Sequence, residues 1–157
     1  MASSPPALLV RVEAARIDAG AELENLTRGR TDVGALVSFL GLCRDEGGAL
    51  AALEIEHYPG MAEAEIGRVA AQALERWPLQ GLLVVHRFGV IVPGEAIVLV
   101  AMLARHRGEA FAAAEFLMDY LKTSAPFWKK QRLAAGGDAG WVEAKAQDEA
   151  AAARWDD

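Results

Sequence analysis

The segment between Pro59 and Pro78 places the strongest constraint on how this chain can fold. Its apolar residues recur at the spacing of a single helical face. This stripe consists of Ile66, Val69, Ala70, Ala73, Leu74 and Trp77. The two prolines interrupt helix at either end, so the pattern predicts an amphipathic helix over residues 61–77. Because a helix of this kind gains most of its stability from packing its stripe, the rest of the chain must supply an apolar surface.

Strand patterns elsewhere indicate that this surface is a sheet. They cover residues 7–12, 33–42, 53–58, 82–88 and 96–105. The run 33–42, VGALVSFLGL, is apolar throughout and predicts a buried strand ending at Cys43 and Arg44. Segment 53–58 instead alternates between two faces, with Leu53, Ile55 and His57 on one of them. Turn residues Pro93 and Gly94 separate the last two runs, which we expect to pair.

Two further helices and a short C-terminal region complete the predicted order. Residues 17–27 and 109–122 have helical patterns, and the second should turn Phe111, Ala114, Met118 and Leu121 inward. Pro126 prevents that helix from continuing, residues 141–144 suggest a late strand, and the Ala-rich tail is weakly helical as far as Trp155. We therefore predict an α+β fold with a mostly antiparallel sheet and packed helices. The chain is expected to be a single domain, 1–157, with a flexible start at 1–6 and a C-terminal tail at 146–157.

Charge and cysteine content narrow the class of protein. The formal net charge of -6 disfavours a general binder of nucleic acid or anionic membranes, although a local basic pocket remains compatible with it. A single cysteine, Cys43, excludes an intramolecular disulfide, and no secretory leader or membrane-spanning run is recognisable. These features predict a cytoplasmic protein.

Several common catalytic motifs are missing from the sequence. It has no phosphate-binding GxxxxGK[ST] loop, no dinucleotide GxGxxG, no HExxH and no GxSxG. His57, His86 and His106 lie in separate segments without ligand spacing, so we expect structural or surface roles and no metal site. Cys43 is interpreted as a small core residue, and the alternating Glu54 and Glu56 as the wet face of a strand.

Basic residues, by contrast, fall at the ends of predicted elements. Lys122 ends a helix, Lys129 and Lys130 follow a Pro-Phe-Trp turn, and Arg44 ends a strand. The segment Arg105 to Arg107 lies where a strand gives way to a helix, whose free N–H groups favour anions. The hypothesis is that Arg44, His106, Arg107, Lys122 and Lys129 converge on one anion pocket. Solvated positions with no shared role are the alternative that these residues leave open.

Short motifs in a fixed order decide how the basic residues are interpreted. They are EHYPGM at 56–61, RWPL at 76–79, HRFG at 86–89, PGE at 93–95, ARHR at 104–107 and MDYLKTSAPFWKK at 118–130. Together they resemble the large, catalytic subunit of molybdopterin synthase, from about Gly34 to the final ARW. The family implies an α/β hammerhead-like fold and sulfurtransferase activity. In that reaction two sulfurs pass to a cyclic pyranopterin monophosphate, delivered by the thiocarboxylated Gly-Gly terminus of a small ubiquitin-like partner.

The resemblance also implies roles for individual residues. Lys122 and Lys129 match the essential lysines, Lys122 near the terminal carbonyl of the partner and Lys129 beside the substrate and the attacking sulfur. Arg44, His106 and Arg107 match positions that contact the pterin or its phosphate. Weaker substrate-binding assignments fall on Lys130 and Gln131. Cys43 is left out of catalysis, Lys145 stands where an arginine is also familiar, and no cofactor is expected.

Assembly is the last implication of the resemblance. The family implies a homodimer of this chain with one small partner at each end, and His106 and Arg107 are expected to reach the pocket whose Lys122 belongs to the other copy. The alternative function is a non-catalytic domain of the same fold that binds an anion or phosphate ligand, or serves as a scaffold.

Overall fold

Two four-stranded sheets form the framework of the protein in the computed structural model, which describes residues 5–142 and 145–156. The elements in chain order are β1 (Ala7–Glu13), α1 (Ala19–Thr27), β2 (Ala35–Leu42), β3 (Leu50–His57), α2 (Met61–Arg76), β4 (Leu79–Arg87), β5 (Gly89–Ile91), β6 (Ala96–Ala104), α3 (Arg107–Thr123), β7 (Phe127–Leu133), β8 (Asp138–Trp141) and α4 (Ala146–Ala153). Residues 1–4 of the expected flexible start at 1–6, residues 143–144 of the expected late strand, and residue 157 lie outside the described residues.

The first sheet has the strand order β1-β4-β6-β2. The central pair is antiparallel, as predicted, with Val84 opposite Val100, and β2 adds to β6 in the same sense. Only β1 runs parallel to its neighbour β4 among the described strands. The α+β class with largely antiparallel sheet is therefore confirmed.

Helices cover both faces of this sheet. On one face α2 and α3 pack against alternate residues of β4 and β6, and the predicted stripe of α2 is buried there at Ile66, Val69, Ala70 and Ala73. On the other face α1 packs through Leu26 and Leu23. Each large apolar side chain buried in this way, such as the fully buried Leu117, contributes about 1.5–3 kcal/mol.

The second sheet, β5-β3-β7-β8, is antiparallel throughout. Its strand β7 corrects the expectation that Lys129 and Lys130 follow a tight turn. The chain turns only at residues 124–126, and the aromatic pair then starts a strand with Phe127 opposite His57 and Trp128 opposite Glu56. Pairing with β3, which lies far away in sequence, supplies this structure, so no local pattern predicts it.

Two predictions of burial were wrong. In β2, the residues Ser38, Phe39, Leu40 and Leu42 are exposed, because β2 is an edge strand of the first sheet. On α3, Ala114 and Leu121 face inward as expected, but Phe111 is exposed. An apolar surface therefore remains along β2 and on the first half of α3.

No helix in the described ranges is long and apolar enough to cross a membrane.

Gly34 fixes the start of β2 against the connection from β6 to α3. Its N–H donates to the Ala104 carbonyl at 3.1 Å, and a Cβ at this position would overlap the carbonyl oxygen of Arg105. Only glycine allows the two backbones to approach this closely.

Gly34→Ala is expected to destabilise the protein by about 1–3 kcal/mol, because the added methyl displaces backbone at a helix start. Gly67→Ala is the matched control, since Gly67 lies inside α2 with open space around it. That variant should instead gain about 0.5–1 kcal/mol. Urea denaturation measures both changes, and equal effects at the two sites would contradict the packing described for Gly34.

Candidate functional site

A cavity of about 160 Å³ lies where the end of α3, the start of β7 and the start of α4 meet. Its lining residues are Leu121, Lys122, Thr123, Ala125, Phe127, Lys129, Val142, Lys145 and Asp148. We call it the lysine cavity, because three of its side chains carry ammonium groups and only one, Asp148, carries a carboxylate. A local positive site therefore exists within an acidic protein.

The turn between α3 and β7 brings Lys122 and Lys129 to the same cavity. Lys122 lies in the last helical turn, where its charge complements the negative end of the helix dipole. Ser124 is the C-cap residue of the helix, and Pro126 prevents the helix from continuing. On β7, Lys129 then lies on the same strand face as Phe127, two residues before it.

Lys129 is the more perturbed of the two lysines. It is half-buried in strand β7, opposite the buried Ile55. Its pKa is lowered from 10.5 to about 8, chiefly by burial and also by the nearby charge of Lys122, while Asp148 acts in the opposite direction. A lysine in this state can both bind an anion and exchange a proton near neutral pH.

Phe127 lines the cavity, and two histidine rings lie next to it. The His86 ring stacks on Phe127 with centroids 3.8 Å apart and an interplanar angle of 11°, and His57 lies 6.2 Å from the same ring. The Nδ1 of His86 is 2.8 Å from the Arg87 carbonyl and donates to it. Burial lowers the pKa of His86 to about 3, and the charges of Lys129 and Lys122 contribute to that shift. The His86 ring is therefore neutral at physiological pH.

The histidines were expected to be isolated, and this is corrected for two of them. His57 and His86 lie on neighbouring sides of Phe127 because β3 and β4 both approach the start of β7. They do not form a metal site: within residues 5–142 and 145–156 no cluster of three His, Cys, Asp or Glu side chains could hold an ion. The motif HRFG was the sequence signal that could have pointed to this position. Its histidine, His86, is 3% exposed.

Arg44 lies beyond the end of β2 and does not line the lysine cavity. Its neighbour Cys43 donates its N–H to the Glu95 carbonyl at 2.8 Å, beside the first residue of β6. Because α3 folds back across β6, this is also the end of the sheet at which Lys122 lies. The Arg44 side chain is exposed and its Nη2 lies 3.5 Å from Oε1 of Glu46.

His106 and Arg107 lie at the opposite end of α3. His106 is the N-cap residue, Arg107 begins the helix, and both are exposed. At 1.5 Å per residue, about 22 Å separates Arg107 from Lys122 along the helix. The predicted convergence of all five basic residues is therefore wrong within a single chain.

Lys130 and Gln131 lie on opposite faces of β7, because successive residues of a strand alternate between its two faces. Gln131 shares the strand face of Lys129, whereas Lys130 is on the other face. There the ammonium of Lys130 lies 3.3 Å from Oδ2 of Asp138 and 5.2 Å from the centre of the Trp141 ring. A role for Lys130 inside the cavity has no support from this position.

The outer wall of the cavity comes from the C-terminal helix, which was expected only as a weakly helical tail with no part in the site. Lys145 precedes α4 and Asp148 lies in its first turn. The helix is held by Trp155, whose ring packs edge-on against Trp77 and Phe116 and whose indole donates to Asp119. An Ala-rich tail carries no local pattern that would reveal this docking.

Cys43 takes no part in the site. It is buried, its thiol lies 3.7 Å from the Ile91 carbonyl, and burial raises its pKa. Glu54 forms an ion pair with Arg132, with 2.9 Å between Oε2 and Nη2. This contact is compatible with a position on a solvated strand face.

Comparison with known proteins gives one consistent family. A family model described as MoaE protein matches residues 12–124. The molybdopterin synthase catalytic subunit of Mesorhizobium japonicum is 65% identical over 146 residues, covering 93% of this chain and 92% of that protein. The subunit of the same name from Brucella melitensis biotype 1 is 57% identical over 150 residues, covering 96% and 92%.

A solved structure has the same fold. The molybdopterin biosynthesis MoaE protein from Burkholderia ambifaria MC40-6 superposes with a TM-score of 0.80 at 46% identity, covering 94% of this chain and 97% of that one.

The electrostatics of the cavity can be tested by titrating Lys129. With a pKa of about 8, its ammonium should be about half protonated at pH 8. Lys122→Met removes a like charge and should raise this pKa, but not to 10.5, because burial remains the larger cause. Asp148→Asn should lower it. Nuclear magnetic resonance of carbon-13-labelled lysine side chains measures all three, and an unaltered Lys129 titrating near 10.5 would contradict the described burial.

Proposed function

The chain belongs to the MoaE protein family, and from this premise we propose that it is the catalytic subunit of a molybdopterin synthase. The observation that carries the proposal is the lysine cavity, which Lys122 and Lys129 line together with Phe127. The reaction is the transfer of two sulfurs to a cyclic pyranopterin monophosphate, which makes the protein a sulfurtransferase.

The small size of the cavity favours a narrow ligand. Pockets that enclose a drug-sized molecule usually measure about 300–1,000 Å³, and the lysine cavity is only about 160 Å³. It suits the extended, side-chain-free terminus of a small partner subunit that ends in Gly-Gly thiocarboxylate. The anionic thiocarboxylate is attracted by the ammonium groups, and the phosphate-bearing pterin must then occupy surface beyond the cavity.

Lys129 is proposed to act beside the reacting sulfur. Its pKa of about 8 leaves about a tenth of the molecules neutral at pH 7, so the amine can accept a proton and the ammonium can return it. Its charged form stabilises negative charge on sulfur or oxygen during transfer. The His86 ring stacked on Phe127 is neutral, so it adds no further positive charge beside Lys129.

Lys122 is proposed to contact the terminal carbonyl of the partner. It is more exposed than Lys129 and lies at the cavity lining on the last turn of α3. A charge-assisted hydrogen bond from its ammonium would polarise the carbonyl and hold the tail in place.

Arg44, His106 and Arg107 are proposed to bind the pterin and its phosphate. The planar guanidinium suits phosphate better than the point charge of lysine. Arg44 is already at the correct end of the sheet, but His106 and Arg107 can serve the lysine cavity only from a second copy. We therefore include a homodimer, with one small partner at each end, in the proposed function. Gln131 is retained as a weaker candidate on the Lys129 face.

Lys122→Ala is expected to reduce sulfur transfer by about 10²-fold or more, because it removes a donor that stabilises developing charge. The cost in stability should be only about 0.3–1 kcal/mol, the contribution of a cation at a helix end. The assay reconstitutes the protein with thiocarboxylated partner and pyranopterin and measures dithiolene formation. Arg132→Ala is the control, since it removes a cation from the opposite face of β7. Unchanged turnover in Lys122→Ala would remove Lys122 from the mechanism.

Mixing two inactive variants tests whether sites are shared between copies. A dimer of one Lys122→Ala chain and one Arg107→Ala chain keeps one intact site if Arg107 serves the other copy, so activity should return to about half per dimer. The control pairs an unaltered chain with a chain carrying both substitutions, in which a shared arrangement damages both sites. Activity in the control dimer but not in the first mixture would show that each site is built within one chain.

A further inference from the structure

Asp119 is a carboxylate inside α3 that binds two donors from the end of α4. Its Oδ2 accepts from the indole N–H of Trp155 at 2.6 Å and lies 3.0 Å from Nη2 of Arg154. The side chain is only 15% exposed. Aspartate is a poor helix former, and a negative charge near the C-terminal end of a helix opposes the helix dipole. The helix itself therefore gives no reason for an aspartate here, whereas the contact with α4 does.

The helix α4 needs these contacts because it has little hold of its own. It consists of eight residues, Ala146–Ala153, and none of them is buried. A helix this short is marginal by itself. Further attachments come from Trp155, whose ring packs on Trp77 and Phe116 and whose carbonyl accepts from Arg76 at 2.8 Å. These contacts all lie just beyond the C-terminal end of α4, whereas the residues that line the lysine cavity lie at its start.

The two ends of α4 face one continuous stretch of α3. Arg154, at the end of α4, is ion-paired with both Glu115 and Asp119. Asp148, at the start of α4, lines the lysine cavity together with Lys122. The rise along α3 from Glu115 to Lys122 is about 10 Å, and that along α4 from Asp148 to Arg154 is about the same. The helices therefore run antiparallel, and a contact at Asp119 holds α4 alongside Lys122.

We infer that Asp119 is a positioning residue for the proposed sulfur transfer: its carboxylate holds α4 against α3 and thereby places Lys145 and Asp148 at the lysine cavity. The inference rests on the proposed function, since it concerns the cavity in which the thiocarboxylate would bind. Asp119 does not line that cavity, so it acts through α4.

Lys129 is the residue whose titration reports the position of α4. Burial is the largest cause of its low pKa of about 8, and Asp148 acts in the opposite direction. Loosening α4 hydrates Lys129 and withdraws both Asp148 and Lys145. Because burial is the larger cause, the pKa of Lys129 should rise. The other charged or titratable groups near the cavity belong to other elements and stay in place: Lys122, His57 and His86.

Glu115 provides a matched control, one turn earlier on α3. Its Oε1 lies 2.7 Å from Nη2 of Arg154, but its side chain is 59% exposed. An ion pair this exposed contributes little to stability. Removing Glu115 therefore takes a carboxylate from the same helix and the same arginine, and leaves the bond between Asp119 and the Trp155 indole intact.

The first test compares Asp119→Ala, Asp119→Asn and Glu115→Ala in the assay of dithiolene formation. Asp119→Ala should lower turnover about tenfold or more, because small displacements around a reacting centre have large effects on rate. Asp119→Asn keeps an oxygen that can accept from the Trp155 indole and should recover part of the loss. Glu115→Ala should stay within about twofold of the unaltered protein. Normal turnover in Asp119→Ala would overturn the inference.

A second test separates positioning from a general loss of stability. Nuclear magnetic resonance of carbon-13-labelled lysine side chains should show the pKa of Lys129 above about 8 in Asp119→Ala and still at about 8 in Glu115→Ala. Hydrogen exchange of the α4 amides should become faster in Asp119→Ala. If urea unfolds Asp119→Ala more easily but the Lys129 titration and the α4 exchange are unchanged, Asp119 only stabilises the fold and the inference is wrong.

A third test asks whether Asp119 acts through α4. In a chain that carries both Arg154→Gln and Trp155→Phe, the two donors to Asp119 are gone. Adding Asp119→Ala to that chain should change turnover by no more than about twofold, because contacts within one network are not additive. A further loss as large as the one in the unaltered background would mean that Asp119 reaches the cavity by another route.

These results are separable from those on the proposed function. Sulfur transfer by the unaltered protein tests the function alone. If that activity is present and Asp119→Ala changes neither turnover nor the Lys129 titration, only the role of Asp119 is wrong. If the titration and the α4 exchange respond as expected but the unaltered protein forms no dithiolene, the function fails and the hold on α4 stands.

Discussion

Holding two ammonium groups beside one another, out of full contact with water, is the constraint around which this structure is organised. Desolvation and mutual repulsion both oppose charge on Lys129, so its pKa falls to about 8. The fold offsets the repulsion in specific ways: Asp148 adds one opposing charge, and His86 stays neutral behind the Phe127 ring. Strand pairing between β3 and β7 keeps Lys129 from swinging out to water.

The acidic exterior and the basic cavity serve different ends. A net charge of -6 keeps the surface from attracting polyanions in general, while the cavity concentrates positive charge where a small anion must bind. The buried Arg87 is part of neither the exterior nor the cavity, and its Nη1 lies 2.7 Å from Oε2 of Glu95. It also donates to the Ala14 carbonyl, tying the end of β1 to the turn that supports Cys43 and Arg44.

Sequence patterns predicted the elements whose signals are local. The α2 stripe, the β4–β6 pair and the end of α3 are where periodicity and prolines indicated, and Lys122 and Lys129 do meet. Strand β7 was missed because its partner β3 is distant in sequence. The tail helix α4 was expected, but its docking was not, because that depends on one tryptophan. The burial assigned to β2 was wrong for a different reason: apolarity shows that a strand needs covering, but not whether the cover belongs to the same chain.

The docking of α4 has a consequence for how the cavity is made during synthesis. Both sheets, α3 and the two lysines are translated before Asp148, which lines the cavity from a helix that Trp155 holds in place. Before α4 docks, the same surfaces form an open cleft, in which Lys129 is more hydrated than in the finished protein. Docking of α4 then adds burial, which lowers the pKa of Lys129, and adds Asp148, which raises it, so a helix made after both lysines adjusts the chemistry of the cavity.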